Sequence, residues 1–311
     1  MCCTHYFNSY YPTAFQQILK TIETLIADGV GENFEYMFFP DYIEIYGIEE
    51  FETSMLALEK ITGFASAKFA VRPFIVRYGD RMMRQMIQWS FSPEAKVRRL
   101  ASEGSRPRLP WAMALSDLKN DPSPALPILE NLKNDKNEVV RRSVANHIND
   151  ICKDNPEIAV RIAKKWFGST TATDALVKHG VRTLLKAGHP LILKLLGLSS
   201  TGLVLKHYAL HQTRIQMGER LSFSFNVDNQ IKAEKTLRLE YAIYLLKQNN
   251  SHSKKVFKIS ERTIGGKENI DVSKNHHFKH ISTRVYYSGV HYVSVILNGK
   301  EFDRLPFTLV V

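Results

Sequence analysis

The chain has 311 residues, 44% of them hydrophobic and 23% charged, a composition that excludes disordered, collagen-like and disulfide-stapled classes. Its three cysteines, Cys2, Cys3 and Cys152, suit a reducing compartment. The net charge of +11 is unevenly placed: residues 1–62 hold ten acids and two bases, so an acidic opening precedes a basic body whose natural partner is a polyanion, nucleic acid rather than a membrane surface.

No apolar run reaches the roughly 18 residues that span a bilayer. The opening residues show no signal-peptide pattern, and no basic cluster flanks Cys2-Cys3 to support lipidation. A monomeric cytoplasmic protein without membrane attachment is expected. Residues 12–215 read as helical almost throughout, with apolar positions at helical spacing. Breaks fall at Gly29-Val30-Gly31, Pro40-Asp41, Gly63, Ser92-Pro93, Asp121-Pro122, Asn155-Pro156, Gly168-Ser169 and His189-Pro190. Within this region Val97-Arg98-Arg99-Leu100-Ala101-Ser102-Glu103 parallels Val140-Arg141-Arg142-Ser143-Val144-Ala145-Asn146 at a spacing of 43, and Val181-Arg182-Thr183-Leu184 follows more faintly at 41. That period predicts HEAT-like helix pairs stacked into a curved solenoid.

From Met217 the pattern turns to period two. Strands are predicted at 221–227, 237–243, 284–287 and 291–297, with turn signals at Asp228-Asn229, Gly265-Gly266 and Asn298-Gly299. The fold class is therefore α then β: an α-α HEAT-like repeat solenoid over 1–215, then an immunoglobulin-like β-sandwich over 216–311. The β region carries fifteen bases against nine acids, and the stretch from His276 to Arg284 reads as a basic loop able to reach DNA.

The repeats place polar stripes side by side. Val97, Leu100 and Ala101 face inward on one helix and leave Arg99, Glu103 and Arg106 on another face. On the next, Val140, Val144, Ile148 and Ile151 face inward, leaving Arg142, Asn146, Asp150 and Lys153. The result is a basic groove containing two carboxylates, Glu103 and Asp150. An acid in a phosphate-binding surface weakens binding, so each is either an ion-pair partner of a neighbouring base or a catalytic group. Trp111 is either a core residue or an aromatic at the groove mouth. His5 stands alone and His276, His277 and His280 lack a completing ligand, so neither a metal nor an organic cofactor is expected.

The run Arg98-Arg99-Leu100-Ala101-Ser102-Glu103-Gly104-Ser105-Arg106-Pro107-Arg108-Leu109-Pro110-Trp111 resembles a signature of the AlkC-type DNA alkylation-repair glycosylases, relatives of the AlkD proteins with HEAT-like repeats. Phe69-Ala70-Val71-Arg72-Pro73-Phe74 and Val144-Ala145-Asn146-His147-Ile148-Asn149-Asp150 resemble two further family segments in the same order. Gly218-Glu219-Arg220-Leu221-Ser222-Phe223 and Thr283-Arg284-Val285-Tyr286-Tyr287 look like the family's immunoglobulin-like appendage, so the resemblance covers about residues 40–311.

The resemblance implies excision of cationic N3-methyl bases from duplex DNA, chiefly 3-methyladenine and also 3-methylcytosine, without full base flipping, in a bacterial, nucleoid-associated setting. It implies Glu103 and Asp150 as active-site acids, Trp111 as the lesion-proximal aromatic, and Arg99 and Arg106 as DNA contacts. Arg108, Arg142, Asn146, Lys279 and Arg284 are further expected contacts. Lys68 departs from the family, which is expected to carry Glu before Phe-Ala-Val-Arg-Pro-Phe: either that acid is dispensable, or Lys68 takes a phosphate-binding role on the DNA and the lesion range changes. The chemistry is consistent. A cationic base leaves as a neutral molecule, positive charge develops on the sugar, and carboxylates stabilise it while orienting water. Competing readings are a non-catalytic nucleic-acid scaffold and an adaptor for an acidic protein.

Overall fold

Apolar side chains at three- and four-residue steps build the first half of the protein in the computed structural model. It describes residues 34–311 except 283, with helical positions 17, 20, 21 and 24. Cys2, Cys3, His5, Thr283 and the break at Gly29-Val30-Gly31 lie outside the described residues. Two units result, Met1–Thr183 and Leu184–Val311.

In the first unit, α1 (Phe38–Tyr46) and α2 (Phe51–Ile61) lead to α3 (Val71–Tyr78) and α4 (Asp80–Trp89). Met82, Met83, Met86 and Trp89 bury one side of α4, and the Trp89 indole donates to Glu59 Oε2 at 2.9 Å. Next come α5 (Ala95–Gly104), α6 (Ser116–Asn120), α7 (Leu126–Leu132), α8 (Glu138–Asp154), α9 (Pro156–Trp166) and α10 (Thr171–Gly180). Asn137 caps α8 by accepting from Val139 N at 2.8 Å, as a short polar side chain at that position should. The Trp166 indole donates to Glu130 Oε2 at 2.9 Å, as Trp89 does to Glu59.

The 43-residue spacing is visible in individual bonds. Arg98 Nη1 donates to the carbonyls six and five residues before it, Ser92 and Pro93, at 2.9 and 2.8 Å. Arg141 Nη1 does the same to Asp135 and Lys136 at 2.6 and 3.1 Å. Arg182, the third expected copy, instead donates to His179 O, three residues back.

Gly104 closes α5 where another helix passes. A Cβ there would lie 2.5 Å from Val71 Cγ2 and 3.2 Å from Met86 Cε, so only glycine permits this approach of α5 to α3 and α4.

Among the described residues the second unit contains α11 (Pro190–Leu195) and nine strands. β1 (Leu203–Leu210), β3 (Arg220–Asn229) and β6 (Asn269–His277) form one antiparallel sheet in the order β1-β3-β6. The other runs β2 (Arg214–Gln216), β9 (Leu305–Val310), β7 (Gly289–Leu297), β4 (Lys235–Leu246) and β5 (His252–Ile264), with β8 (Lys300–Glu301) paired to β7. One core joins them: alternate residues Leu221, Phe223, Phe225 and Val227 of β3 are buried with Leu237, Leu239, Tyr241 and Ile243 of β4 and Phe307 of β9. At the turn between β7 and β8 both Asn298 and Gly299 have positive φ, 47° and 81°, as a tight primed hairpin turn demands.

Three expectations change here. Strands begin at Leu203 rather than after residue 216, because a bulge between Lys206 and Ala209, with His207 at φ 51°, interrupts the alternation of β1. Residues 284–287 form no strand; Arg284 makes an isolated bridge to Ile281 and Val285 is 72% exposed. His276 and His277 belong to β6 rather than to a loop: His276 lies within hydrogen-bonding distance of Tyr241 Oη (2.9 Å), and Phe278 is fully buried.

Candidate active site

The C-terminal end of α5, the segment after it and the middle of α8 meet around one guanidinium. Arg106 Nη1 donates to Glu103 Oε1 at 2.7 Å and its Nε donates to Asp150 Oδ2 at 2.8 Å. Glu103, Arg106 and Asp150 are 7%, 7% and 1% exposed, so this triad sits beneath the surface. Ser143 Oγ donates to the other oxygen of Glu103 at 2.8 Å, and Lys153 Nζ to the other oxygen of Asp150 at 3.0 Å. Burial by itself would raise the pKa of Glu103. The charge of Arg106, the hydrogen bonds from Ser143 and Arg106 and the charge of Arg99 outweigh it, so the carboxyl titrates below its ordinary range and is ionised at neutral pH.

Sequence reasoning brought Glu103 and Asp150 to one place, and the structure does bring them together. It corrects the role of Arg106. This side chain is consumed by the two acids and buried, so it holds the carboxylates and does not present a free cation to a phosphate. Arg99 is half-buried and lines an open hollow of about 360 Å³ with Lys96, Phe64 and Val140. Arg108 pairs with Asp154 through two bonds of 2.6 and 2.5 Å, and Arg142 reaches Glu138 at 3.7 Å while its side chain stays 64% exposed. Asn146 Oδ1 accepts from Arg182 at 3.2 Å and lies 3.3 Å from His179 Nε2. Lys68 is half-buried in the turn before α3. In the second unit Lys279 is exposed, and the Arg284 guanidinium lies 5.9 Å from the Tyr286 ring.

Trp111 is wholly exposed, which overturns the core alternative. Its backbone φ is 65°, a left-handed conformation that a bulky residue adopts only under external restraint. The restraint is Arg72, which is fully buried and spends its donors on main-chain carbonyls. Its Nη1 reaches Gly104 O at 2.9 Å and Arg106 O at 2.8 Å, while Nε and Nη2 reach Met113 O at 2.8 and 2.5 Å. Both flanks of the Trp111 turn are thus tied to α3. Burial, then the like charge of Arg106, lowers the Arg72 pKa to about 10 against the opposing pull of Asp150, and the group remains a cation at neutral pH.

Sequence reasoning missed the parts that serve the site from behind. Arg72 was visible inside the quoted Phe-Ala-Val-Arg-Pro-Phe segment, but no periodicity marks an arginine as buried. His147, three residues before Asp150, is fully buried, with Nδ1 3.0 Å from Ser102 O. Burial lowers its pKa to about 4, so its ring is neutral. Among the described residues no group of three or more His, Cys, Asp or Glu is gathered as metal ligands, and no helix is long and apolar enough to cross a membrane.

Comparisons with other proteins agree on the neighbourhood. Residues 204–311 match a family described as "Uncharacterised protein YhaZ, C-terminal Ig-like domain". The chain is 41% identical over 302 residues to the protein YhaZ of Bacillus subtilis (strain 168), spanning 96% of this chain and 84% of that one. It also resembles the structure of the Pseudomonas fluorescens alkylpurine DNA glycosylase AlkC bound to DNA containing an abasic site analog. The identity is 34% and the TM-score 0.90, over 97% of this chain and 83% of the other.

Proposed function

Because the chain belongs to the AlkC-type family of DNA alkylation-repair glycosylases, we propose that it hydrolyses the N-glycosidic bond of cationic N3-methylated bases in duplex DNA, chiefly 3-methyladenine and also 3-methylcytosine. In this reading the helical unit is a HEAT-like solenoid that binds the duplex, and the β unit is an immunoglobulin-like sandwich. The observation that carries the reading is the convergence of Glu103 and Asp150, 47 positions apart, on the single buried guanidinium of Arg106.

The chemistry follows from charge. A base methylated at N3 already bears a positive charge and departs neutral, so no acid is needed to protonate it. The sugar becomes cationic as the bond breaks. Two carboxylates fixed in advance stabilise that charge without reorganising, and one of them orients the attacking water. Arg106 makes the arrangement possible, since two uncompensated buried carboxylates would repel and one would take up a proton. Trp111, exposed on a strained turn tied down by Arg72, supplies a rigid aromatic surface beside the lesion. Lys68, Arg99, Arg108, Arg142, Asn146, Lys279 and Arg284 are the proposed DNA contacts.

The saturation of both acids by Arg106, Ser143 and Lys153 favours a second reading, in which they are structural and the protein is a non-catalytic nucleic-acid scaffold. Incubation with a duplex containing 3-methyladenine separates the two. Release of the free base supports the glycosylase, whereas tight, salt-sensitive binding without release supports the scaffold.

A further inference from the structure

Base excision leaves an abasic sugar whose ring opens to an aldehyde at C1′, and an aldehyde reacts with an unprotonated primary amine. A primary amine stands close enough to Glu103, one of the two candidate acids, to feel its charge. Lys68 lies in the turn that leads into α3, where Val71 N donates to Ala67 O at 3.3 Å and Arg72 N to Phe69 O at 3.1 Å. This turn is already helix-like, so Lys68 and Arg72, four positions apart, lie one above the other on the same side. Arg72 grips the carbonyls of Gly104 and Arg106, and Val71 presses directly on Gly104. Lys68 is thereby held at the end of α5 that carries Glu103, with its Nζ 5.0 Å from the Phe69 ring. Among the described residues it has no carboxylate partner within ion-pair distance.

We infer that Lys68 is the nucleophile of a second activity, cleavage of the abasic strand through a covalent imine; the inference rests on the glycosylase reading for the source of its substrate. Its surroundings favour the reactive form. Burial, then the charge of Arg99, hold the Lys68 pKa below the ordinary lysine range; Glu103 pulls it up and Arg106 pushes it further down. The Nζ lone pair attacks the C1′ carbonyl carbon. One amine proton and one proton from solvent leave with the carbonyl oxygen as water, giving a protonated imine between C1′ and Nζ. The Glu103 carboxylate takes a proton from C2′, and the electron pair left behind forms the C2′–C3′ double bond. The 3′ phosphate departs with its bonding electrons, cutting the strand on that side. Water then attacks the imine carbon, returning Lys68 and an unsaturated aldehyde. No oxidant, reductant or metal is consumed.

The test uses the full chain and a duplex in which one abasic site has been prepared beforehand by removing uracil, so that no excision by this protein is required. Sodium borohydride reduces an imine to a stable adduct. The expected result is a trapped protein–DNA band with the wild type whose modified peptide contains Lys68, and loss of that band with Lys68→Arg, which keeps the cation but cannot form the imine. Peptide mapping of the wild-type adduct decides the matter even if the variant fails to fold. Absence of any adduct or strand cleavage overturns the inference, as does an adduct mapped to another amine. Parallel assay of 3-methyladenine release keeps the two readings apart. Release without trapping sinks only the lyase, and trapping at Lys68 without release sinks only the glycosylase.

Discussion

At the residue scale, Arg106 shows how far a stripe on a helical wheel can mislead. The sequence places Arg99, Glu103 and Arg106 on one helical face, but α5 ends at Gly104, and Arg106 turns inward between two acids. The spacing of 43 made Glu103 and Asp150 legible as neighbours, whereas burial of the cation between them depends on the chain reversing after Gly104. Replacing Arg106 by Met takes the shared cation from two buried carboxylates and leaves Asp150 only Lys153 and Glu103 no ion-pair partner, and a loss of roughly 3–5 kcal/mol in unfolding free energy is expected by chemical denaturation. Arg108→Ala should leave that stability nearly unchanged, because its pair with Asp154 is open to solvent. His147 sets a pH dependence. Its folded pKa of about 4 lies below the ordinary 6.5, so the unfolded chain binds a proton that the folded chain refuses. The His147 contribution is therefore complete above pH 6.5 and is lost as the pH falls towards about 4, with a slope of about 1.4 kcal/mol per pH unit. His147→Gln should remove one proton from that dependence. All three tryptophans, Trp89, Trp111 and Trp166, lie in the helical unit, so tryptophan fluorescence follows its unfolding without interference from the β unit.

At the scale of elements, α5 and α8 were readable because their apolar positions keep helical phase and their arginines recur at a fixed interval. β1 was not, since its bulge breaks the alternation that identifies a strand. β5 and β6 were missed for another reason: β5 is rich in lysine and serine and β6 in asparagine and histidine, and almost none of their residues is fully buried. The segment from Arg106 to Met113 belongs to neither class. It is irregular, and its shape comes from a buried arginine more than thirty positions away. Two outcomes follow. Trp111→Ala should leave the unfolding midpoint of the helical unit in place, since the side chain contributes no buried area, while slowing base release at saturating enzyme; a large fall in the midpoint would contradict the exposed position. Arg72→Lys cannot reach three carbonyls in a fixed fork, so hydrogen exchange across residues 104–113 should accelerate and base release should fall with it. Unchanged exchange would mean that the segment holds its shape without Arg72.

At the scale of the whole molecule, the division between helix and strand was legible, but its place was not. The expected cut after residue 215 would strip β1 from β3 and β2 from β9, whereas the units part between Thr183 and Leu184. Removing residues 184–311 should therefore leave a helical protein whose duplex binding is weaker, if Lys279 and Arg284 are DNA contacts. Equal binding by the shortened protein would take the β unit off the DNA. Arg99→Ala and Arg142→Ala should each lower the dependence of binding on salt by about one phosphate contact, on damaged and undamaged duplex alike. The account as a whole stands on the separation of binding from chemistry at the two acids, and single-turnover release of 3-methyladenine by the full chain tests it most directly. Glu103→Gln and Asp150→Asn should each slow release about a hundredfold, the worth of one lost electrostatic contact of about 3 kcal/mol, with duplex affinity equal to or above wild type. Release at the wild-type rate by both variants, with both folded, would contradict the assignment of these carboxylates to catalysis.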